Sequence, residues 1–269
     1  MMFGWISMTT DYGGDDGFVA ACKGVIAQIA PDVRILDVTH NVPPQDVRRG
    51  AAVLAQTAPY LPPAVHLAVV DPGVGTDRRG LAVVTPGGML VGPDNGLLTP
   101  AADALGGIAA AYELTNSEFW RPAVSPTFHG RDVFAPAAAH LATGTPPEKL
   151  GAAVQQATLV RLPAPETNLA AGRLETEVLS VDRFGNVQLA ATATELAKVG
   201  LQAPMRVRLR LNLVTVEATL GSTFNDVPHG ALLAYVDSAG LVALAVNGGS
   251  AAGRLVIVPG GRVELEAAD

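Results

Sequence analysis

The segment Val65–Val70, VHLAVV, constrains the fold more than any other stretch of the chain. Apart from His66 it is a continuous apolar run, and it stops at Asp71-Pro72-Gly73. A half-exposed strand alternates apolar and polar residues, so an unbroken run marks a strand covered on both faces, as in the middle of a parallel sheet. Its surroundings agree. Phe3–Met8 and Val33–Val38 read as strands, and Gly17–Ala30 and Val47–Thr57 carry helical period, with Pro31-Asp32 as a breaker. Leu81–Thr85 and Met89–Val91 flank Pro86-Gly87-Gly88, a hairpin signal, and Val133–Thr143 reads as a helix with an alanine-rich face. Strands alternating with helices predict an α/β layer domain with a mostly parallel sheet over residues 1–162.

The character then changes. Arg161–Gly172, RLPAPETNLAAG, has two prolines and few apolar residues, which predicts a linker over 163–172. Beyond it, strand patterns recur at Leu174–Val181, Val187–Ala190, Val207–Leu211, Val214–Leu220, Leu232–Val236, Leu241–Val246 and Leu255–Val258. Residues 173–269 are therefore expected to form a smaller, β-rich, barrel-like domain.

Composition narrows the function. The 269 residues are 49% hydrophobic and carry a formal net charge of −7, enough apolar side chain for a sizeable core and no basic face for nucleic acid. Arg206, Arg208 and Arg210 alternate with Val207, Leu209 and Leu211, which is the wet face of a strand. Cys22 is the single cysteine, so no internal disulfide or cysteine-rich zinc site can form, and its helical apolar setting reads as core. The first residues show no basic segment followed by an apolar one, and no run reaches the roughly 18 apolar residues of a membrane span. A soluble, cytoplasmic protein is expected.

Ligands of open α/β sheets bind beyond the carboxyl ends of the strands. Polar clusters fall there at Thr9–Asp16, Asp71–Arg79 and Gly92–Gly96, and another, Thr127–Asp132, precedes the alanine-rich helix. Singly they are ordinary: an aspartate after a strand caps or turns the chain, and Asp94-Asn95-Gly96 alone is a turn. Together they point to a site. Asp11, Asp15, Asp16 and Asp71 with His129 are ligand types that suit a divalent ion, although no His-x-His or His-Glu-x-x-His pattern accompanies them. Asp71, Arg78 and His129 also suit a metal-free chemistry: arginine and histidine hold and polarise a water while the carboxylate orients them. In the second domain, Asp182–Asn186, Ser222–Asp226 and Asn247–Ala252 set aromatic rings beside amides. That is what a purine needs, and also what hairpin turns with core phenylalanines look like.

These segments together resemble the SAM hydroxide adenosyltransferase family, relatives of the fluorinases and chlorinases that act on S-adenosyl-L-methionine (SAM). The resemblance spans essentially the whole chain. It is carried by TTDYGGDD (9–16), VVDPGVGTDRR (69–79), GPDNGLL (92–98), TFHGRDVFAP (127–136), VDRFGN (181–186), STFNDV (222–227) and VNGGSAA (246–252). It implies hydrolysis of SAM to adenosine and L-methionine by in-line attack of activated water at C5′, with Asp71, Arg78 and His129 as the catalytic set. It implies that Asp11 holds the ribose and that Asp16 and Asp182 face the methionine amino group. Phe184, Asn186 and Phe224 would surround adenine, and Ser250 and Ala252 would close the C-terminal side. It implies no metal and no cofactor beyond the substrate, and a homotrimer with sites between subunits. The halogenases lack the Asp-Pro-Gly-Val-Gly-x-x-Arg-Arg stretch, which favours water as nucleophile. Halide transfer giving 5′-halo-5′-deoxyadenosine and a SAM- or adenosine-binding sensor without turnover are the alternatives.

Overall fold

In the computed structural model the Val65–Val70 run becomes a wholly buried strand in the middle of a six-stranded sheet. Residues 2–211 and 214–268 are described; Met1 and Asp269, which end the two expected domains, lie outside the described residues. The sheet contains β1 (Trp5–Thr10), β2 (Arg34–Thr39), β3 (Ala64–Val69), β4 (Gly80–Thr85), β5 (Gly88–Pro93) and β6 (Ala110–Glu113), in the order β2-β1-β3-β5-β4-β6. The β1–β2, β1–β3 and β3–β5 pairs are parallel, and β4 runs antiparallel to β5 and β6. Among the described residues four α-helices accompany it: α1 (Phe18–Ile29), α2 (Val47–Thr57), α3 (Thr99–Ala104) and α4 (Ala135–Ala142).

Alternate residues of β3 explain its run, which is apolar except for the buried His66, whose Nδ1 meets the Ser7 hydroxyl at 2.8 Å. Val65, Leu67 and Val69 join a cluster with Cys22 and Ile26 of α1 and Ala138 and Leu141 of α4. Ala68 and Val70 join another with Leu54 of α2 and Ala101 of α3. The sheet is thus buried on both faces. α2 starts where Asp46 accepts a hydrogen bond from the Arg49 N–H at 2.9 Å. The expected helix at Val133–Thr143 begins inside a π-helical turn, Gly130–Phe134, that runs into α4. Cys22 is 1% exposed, and burial pushes its thiol up to about 12, in keeping with a core role.

The chain divides into two compact units, Met1–Leu162 and Pro163–Asp269. The second contains β7 (Thr167–Ala170), β8 (Arg173–Val181), β9 (Val187–Thr192), α5 (Ala193–Lys198), β10 (Met205–Leu211), β11 (Val214–Leu220), β12 (Leu232–Val236), β13 (Leu241–Val246), α6 (Ala251–Leu255) and β14 (Arg262–Ala267). Strands β14-β10-β11-β12-β13-β9-β8 follow one another, and β8 pairs back onto β14, closing a seven-strand barrel. Leu174, Leu189, Val207, Leu209, Leu244 and Leu265 are among its buried residues. Arg206, Arg208 and Arg210 stand on the outer side, paired with Glu217 at 2.8 Å and with Glu266 at 2.9 and 3.1 Å.

Two expectations need correction. Residues 167–170 of the expected linker form β7, which pairs with β8 and is pinned by the Thr167–Thr176 hydroxyl contact at 3.1 Å. Leu255–Val258 is not a strand. Ser250 caps α6 there by accepting the Gly253 N–H, and the helix stops at Val256, whose φ of 50° no strand adopts. The closing strand is β14, where Val263 and Leu265 are buried between outward-facing glutamates. Among the described residues no helix is long and apolar enough to cross a membrane.

Candidate active site

β1 and β3 are adjacent and parallel, so Asp11 and Asp71 emerge side by side at their carboxyl ends. A cleft of about 380 Å³ opens there, lined by Asp11, Tyr12, Gln45, Asp71, Thr127, Phe128 and His129 among others. Asp71 begins a tight turn in which Val74 N–H reaches the Asp71 carbonyl and Thr76 N–H the Gly73 carbonyl. Gly75 makes the turn possible: its φ is +80°, and a Cβ there would stand 2.6 Å from the Pro126 carbonyl oxygen. The turn and the loop that carries His129 therefore abut at this glycine.

The turn delivers Arg78 back onto Asp71. Its Nε lies 3.0 and 3.1 Å from the two carboxylate oxygens and its Nη2 lies 2.5 Å from Oδ2. The Arg78 Cζ sits 5.0 Å from the centre of the Phe134 ring, which holds the guanidinium plane from one side. Arg78 Nη2 is also 2.8 Å from His129 Nδ1. A guanidinium only donates, so Nδ1 accepts and the neutral imidazole carries its proton on Nε2. Burial, followed by the positive charge of Arg78, holds His129 below its ordinary 6.5, with Asp71 and Asp132 opposing. The ring is neutral at pH 7, and protonating it would set a donor against the Arg78 donor. We expect kcat to be level from neutral pH upward and to fall on the acid side with a midpoint below 6.5. A stopped pH–rate series measures this, and a midpoint at or above 6.5 contradicts it.

Arg79, although adjacent, does different work. It reaches Asp94 through Nε at 2.8 Å and Nη2 at 2.5 Å, and Thr158 through Nη1 at 3.1 Å and Nη2 at 2.6 Å. The other Asp94 oxygen accepts the Val160 N–H at 2.9 Å. Asn95 donates to the Val70 carbonyl at 2.8 Å and accepts from Leu97 N–H at 3.1 Å. The Asp94-Asn95-Gly96 segment is thus a structural clamp joining the end of β5 to residues 158–160.

Asp11 accepts the Gln45 N–H at 2.9 Å, and Gln45 adopts a φ of 65°, a left-handed backbone for a residue with a side chain. Asp16 lies exposed in the segment leading into α1, outside the lining of the cleft. Among the described residues no group of three or more His, Cys, Asp or Glu side chains is placed to hold a metal ion. Reading the sequence missed Gln45 and the rings of Phe18 and Phe128, which lie 6.0 and 5.7 Å from the Tyr12 ring and 5.2 Å from each other, centroid to centroid. Tyr12 and Phe128 sit inside the motifs at 9–16 and 127–136, so their place was legible; a left-handed glutamine leaves no sequence signal.

The second unit has its own pocket, of about 640 Å³, lined by Asp182, Phe184, Asn186, Phe224, Tyr235, Val246, Gly248 and Gly249. Asp182 builds it. Its Oδ1 accepts the Phe184 and Asn186 N–H groups at 2.8 and 2.9 Å, and its Oδ2 accepts Asn186 Nδ2 at 2.8 Å. The turn presents Phe184 with 73% of its surface exposed, an unusual state for phenylalanine. Phe224 faces Tyr235 at a centroid distance of 5.5 Å. Ser250 and Ala252 support this turn from behind instead of lining the pocket: Ala252 N–H donates to the Gly185 carbonyl at 2.9 Å, and a Cβ at Gly185 would meet the Ser250 side chain. Tyr235 was read only as part of a strand.

Comparison with known proteins places both units. Residues 6–151 match the N-terminal domain of the SAM hydroxide adenosyltransferase family, and residues 176–264 match its C-terminal domain. A protein of Salinispora arenicola named (R)-S-adenosyl-L-methionine hydrolase is 58% identical over 263 residues, covering 98% of each chain. A fluorinase of Nocardia brasiliensis is 32% identical, covering 92% of this chain and 91% of its own. Among solved structures, an uncharacterized conserved protein from Thermotoga maritima superposes with a TM-score of 0.91 at 36% identity, covering 97% of this chain and 99% of that one.

Proposed function

The chain belongs to the SAM hydroxide adenosyltransferase family, and from that premise we propose that it is an enzyme hydrolysing S-adenosyl-L-methionine to adenosine and L-methionine. The observation that carries the reading is the Arg78 guanidinium bridging Asp71 and His129 at the edge of the cleft. In the reaction a water oxygen forms a bond to C5′ as the C5′–S bond breaks. The bond's electron pair passes to sulfur, which leaves as a neutral thioether, and the water's proton departs to solvent. The leaving group is good, so positioning of the water supplies much of the catalysis. Arg78 holds the His129 ring by Nδ1, and Nε2–H is left to donate to the water oxygen. Asp71 neutralises Arg78 beside a cationic substrate.

The remaining roles follow the same reading. Asp11, fixed by Gln45 N–H, holds the ribose hydroxyls. Phe184, Asn186 and Phe224, with Tyr235, receive adenine. Asp16 and Asp182 face the methionine amino group, and Ser250 and Ala252 shape that side through the Gly185 turn. No metal or further cofactor takes part. The relative's name specifies the (R) sulfonium, and we carry that preference over to this chain. The family resemblance extends the reading to a homotrimer with sites between subunits, working in the cytoplasm without nucleic-acid or membrane partners.

Incubation of the pure protein with each sulfonium epimer of SAM in ¹⁸O-water tests the proposal. Adenosine carrying the label at its 5′ oxygen, formed faster from the (R) epimer, is the expected result. Unlabelled adenosine, a halide-dependent product, or retained SAM without turnover would each overturn it.

A further inference from the structure

We propose that Arg131 and Asp132 are positioning residues for His129, folding the loop from Arg121 to Gly130 so that the imidazole meets Arg78. The inference rests on the reading of His129 given above and adds to it two residues that do not line the cleft. The loop between Arg121 and His129 contains turns but no helix or strand, so something other than a backbone ladder must hold it. Asp132 does so. Its side chain is 0% exposed, yet its carboxylate accepts Arg131 Nε at 2.7 Å, Arg131 Nη2 at 2.8 Å, Ser125 N–H at 2.9 Å and Arg121 Nη1 at 3.3 Å. Its backbone carbonyl accepts the Arg121 N–H at 2.9 Å. One buried carboxylate thereby ties the beginning, middle and end of the loop.

Arg131 passes this restraint to the residue before His129. Its guanidinium is forked onto Asp132, and its Cζ lies 4.9 Å from the centre of the Phe128 ring. The Phe128 carbonyl in turn accepts the N–H groups of Arg131 and Asp132, both at 3.2 Å. Phe128 is therefore fixed by ring and carbonyl together, and His129 follows it. Burial pushes the Asp132 carboxyl up, but the Arg131 hydrogen bonds, the Ser125 N–H and the two arginine charges outweigh it and hold the group below its ordinary value. The anchor stays charged wherever the enzyme works.

A purely structural anchor and a positioning one differ in how they couple to His129. Asp132→Asn and Arg131→Gln are each made in the native background and in His129→Ala, and kcat, KM and Tm are measured on the folded proteins. Each is expected to lower kcat about tenfold or more with KM within about twofold, and to change kcat by less than about twofold once His129 is absent. An equal fall in both backgrounds overturns the proposal, as does a lowered Tm with kcat intact. Should Asp132→Asn fail to fold, Arg131→Gln decides, because Asp132 keeps Ser125 and Arg121. If His129→Ala is itself as active as the native protein, the catalytic reading of His129 has failed, an outcome that the same series separates.

Discussion

His129→Ala should lower kcat by about 10²-fold or more while leaving the KM for SAM within a few-fold of native. The substitution removes the ring that Arg78 holds at 2.8 Å and leaves the bidentate Asp71–Arg78 pair in place. The other residues that line the cleft are unchanged, so ground-state binding is expected to persist. A group that acts only on the attacking water is lost from the transition state alone. His129→Gln refines the test. An amide can accept from Arg78 and donate to water, but it is not a base. Partial recovery by glutamine therefore marks a donor, as the Nε2–H tautomer requires, and activity as low as in the alanine variant marks a base. A KM rising in step with the loss of kcat would move His129 from water-holding to substrate-binding.

The second large effect separates two neighbours. Arg78→Met should cost at least about 10² in kcat, because the proposed water-positioning chain loses its middle member. Arg79→Met should leave kcat within about threefold and lower stability by about 1–3 kcal/mol, the usual cost of leaving a buried acceptor without its partner, since Asp94 is buried but Arg79 is 27% exposed. Asp94 is the reason: its side chain is 3% exposed and would keep a charge with no cation beside it. For a chain of this size that loss lowers Tm by about 2–12 °C. Removing both partners, Arg79→Met with Asp94→Asn, should recover part of the loss, since the stranded charge is gone. Thermal melts and initial rates on the same preparations check all three variants. Exchanged phenotypes would mean that Arg79 is the arginine of the site.

The sequence carried the α/β core through side-chain period. The apolar run of β3 fixed its place in the sheet, and α2 was legible to the residue. Where two signals competed, period misled. Leu255–Val258 has a strand's composition, but the Ser250 cap and the left-handed Val256 decide its structure. β14 hid behind its glutamates, and α5 was overlooked although its Thr192 and Glu195 spell a capping box. At the site, Asp71, Arg78 and His129 were readable as residues with the right chemistry. Their convergence depends on a left-handed glycine pressed against Pro126 and on a loop tied at Asp132, and neither contact has a periodic signature.

The burial of Cys22 has a practical consequence. Its sulfur is sealed inside the packing of α1 and α4, and its raised pKa leaves almost no thiolate at neutral pH. Alkylating reagents can reach it only when that packing opens, so the labelling rate counts the openings. The chain thus carries, in its lone sulfhydryl, a built-in clock for the breathing of the unit that contains Asp71, Arg78 and His129, and comparing that clock with and without substrate would show whether turnover proceeds on a closed or an opening scaffold.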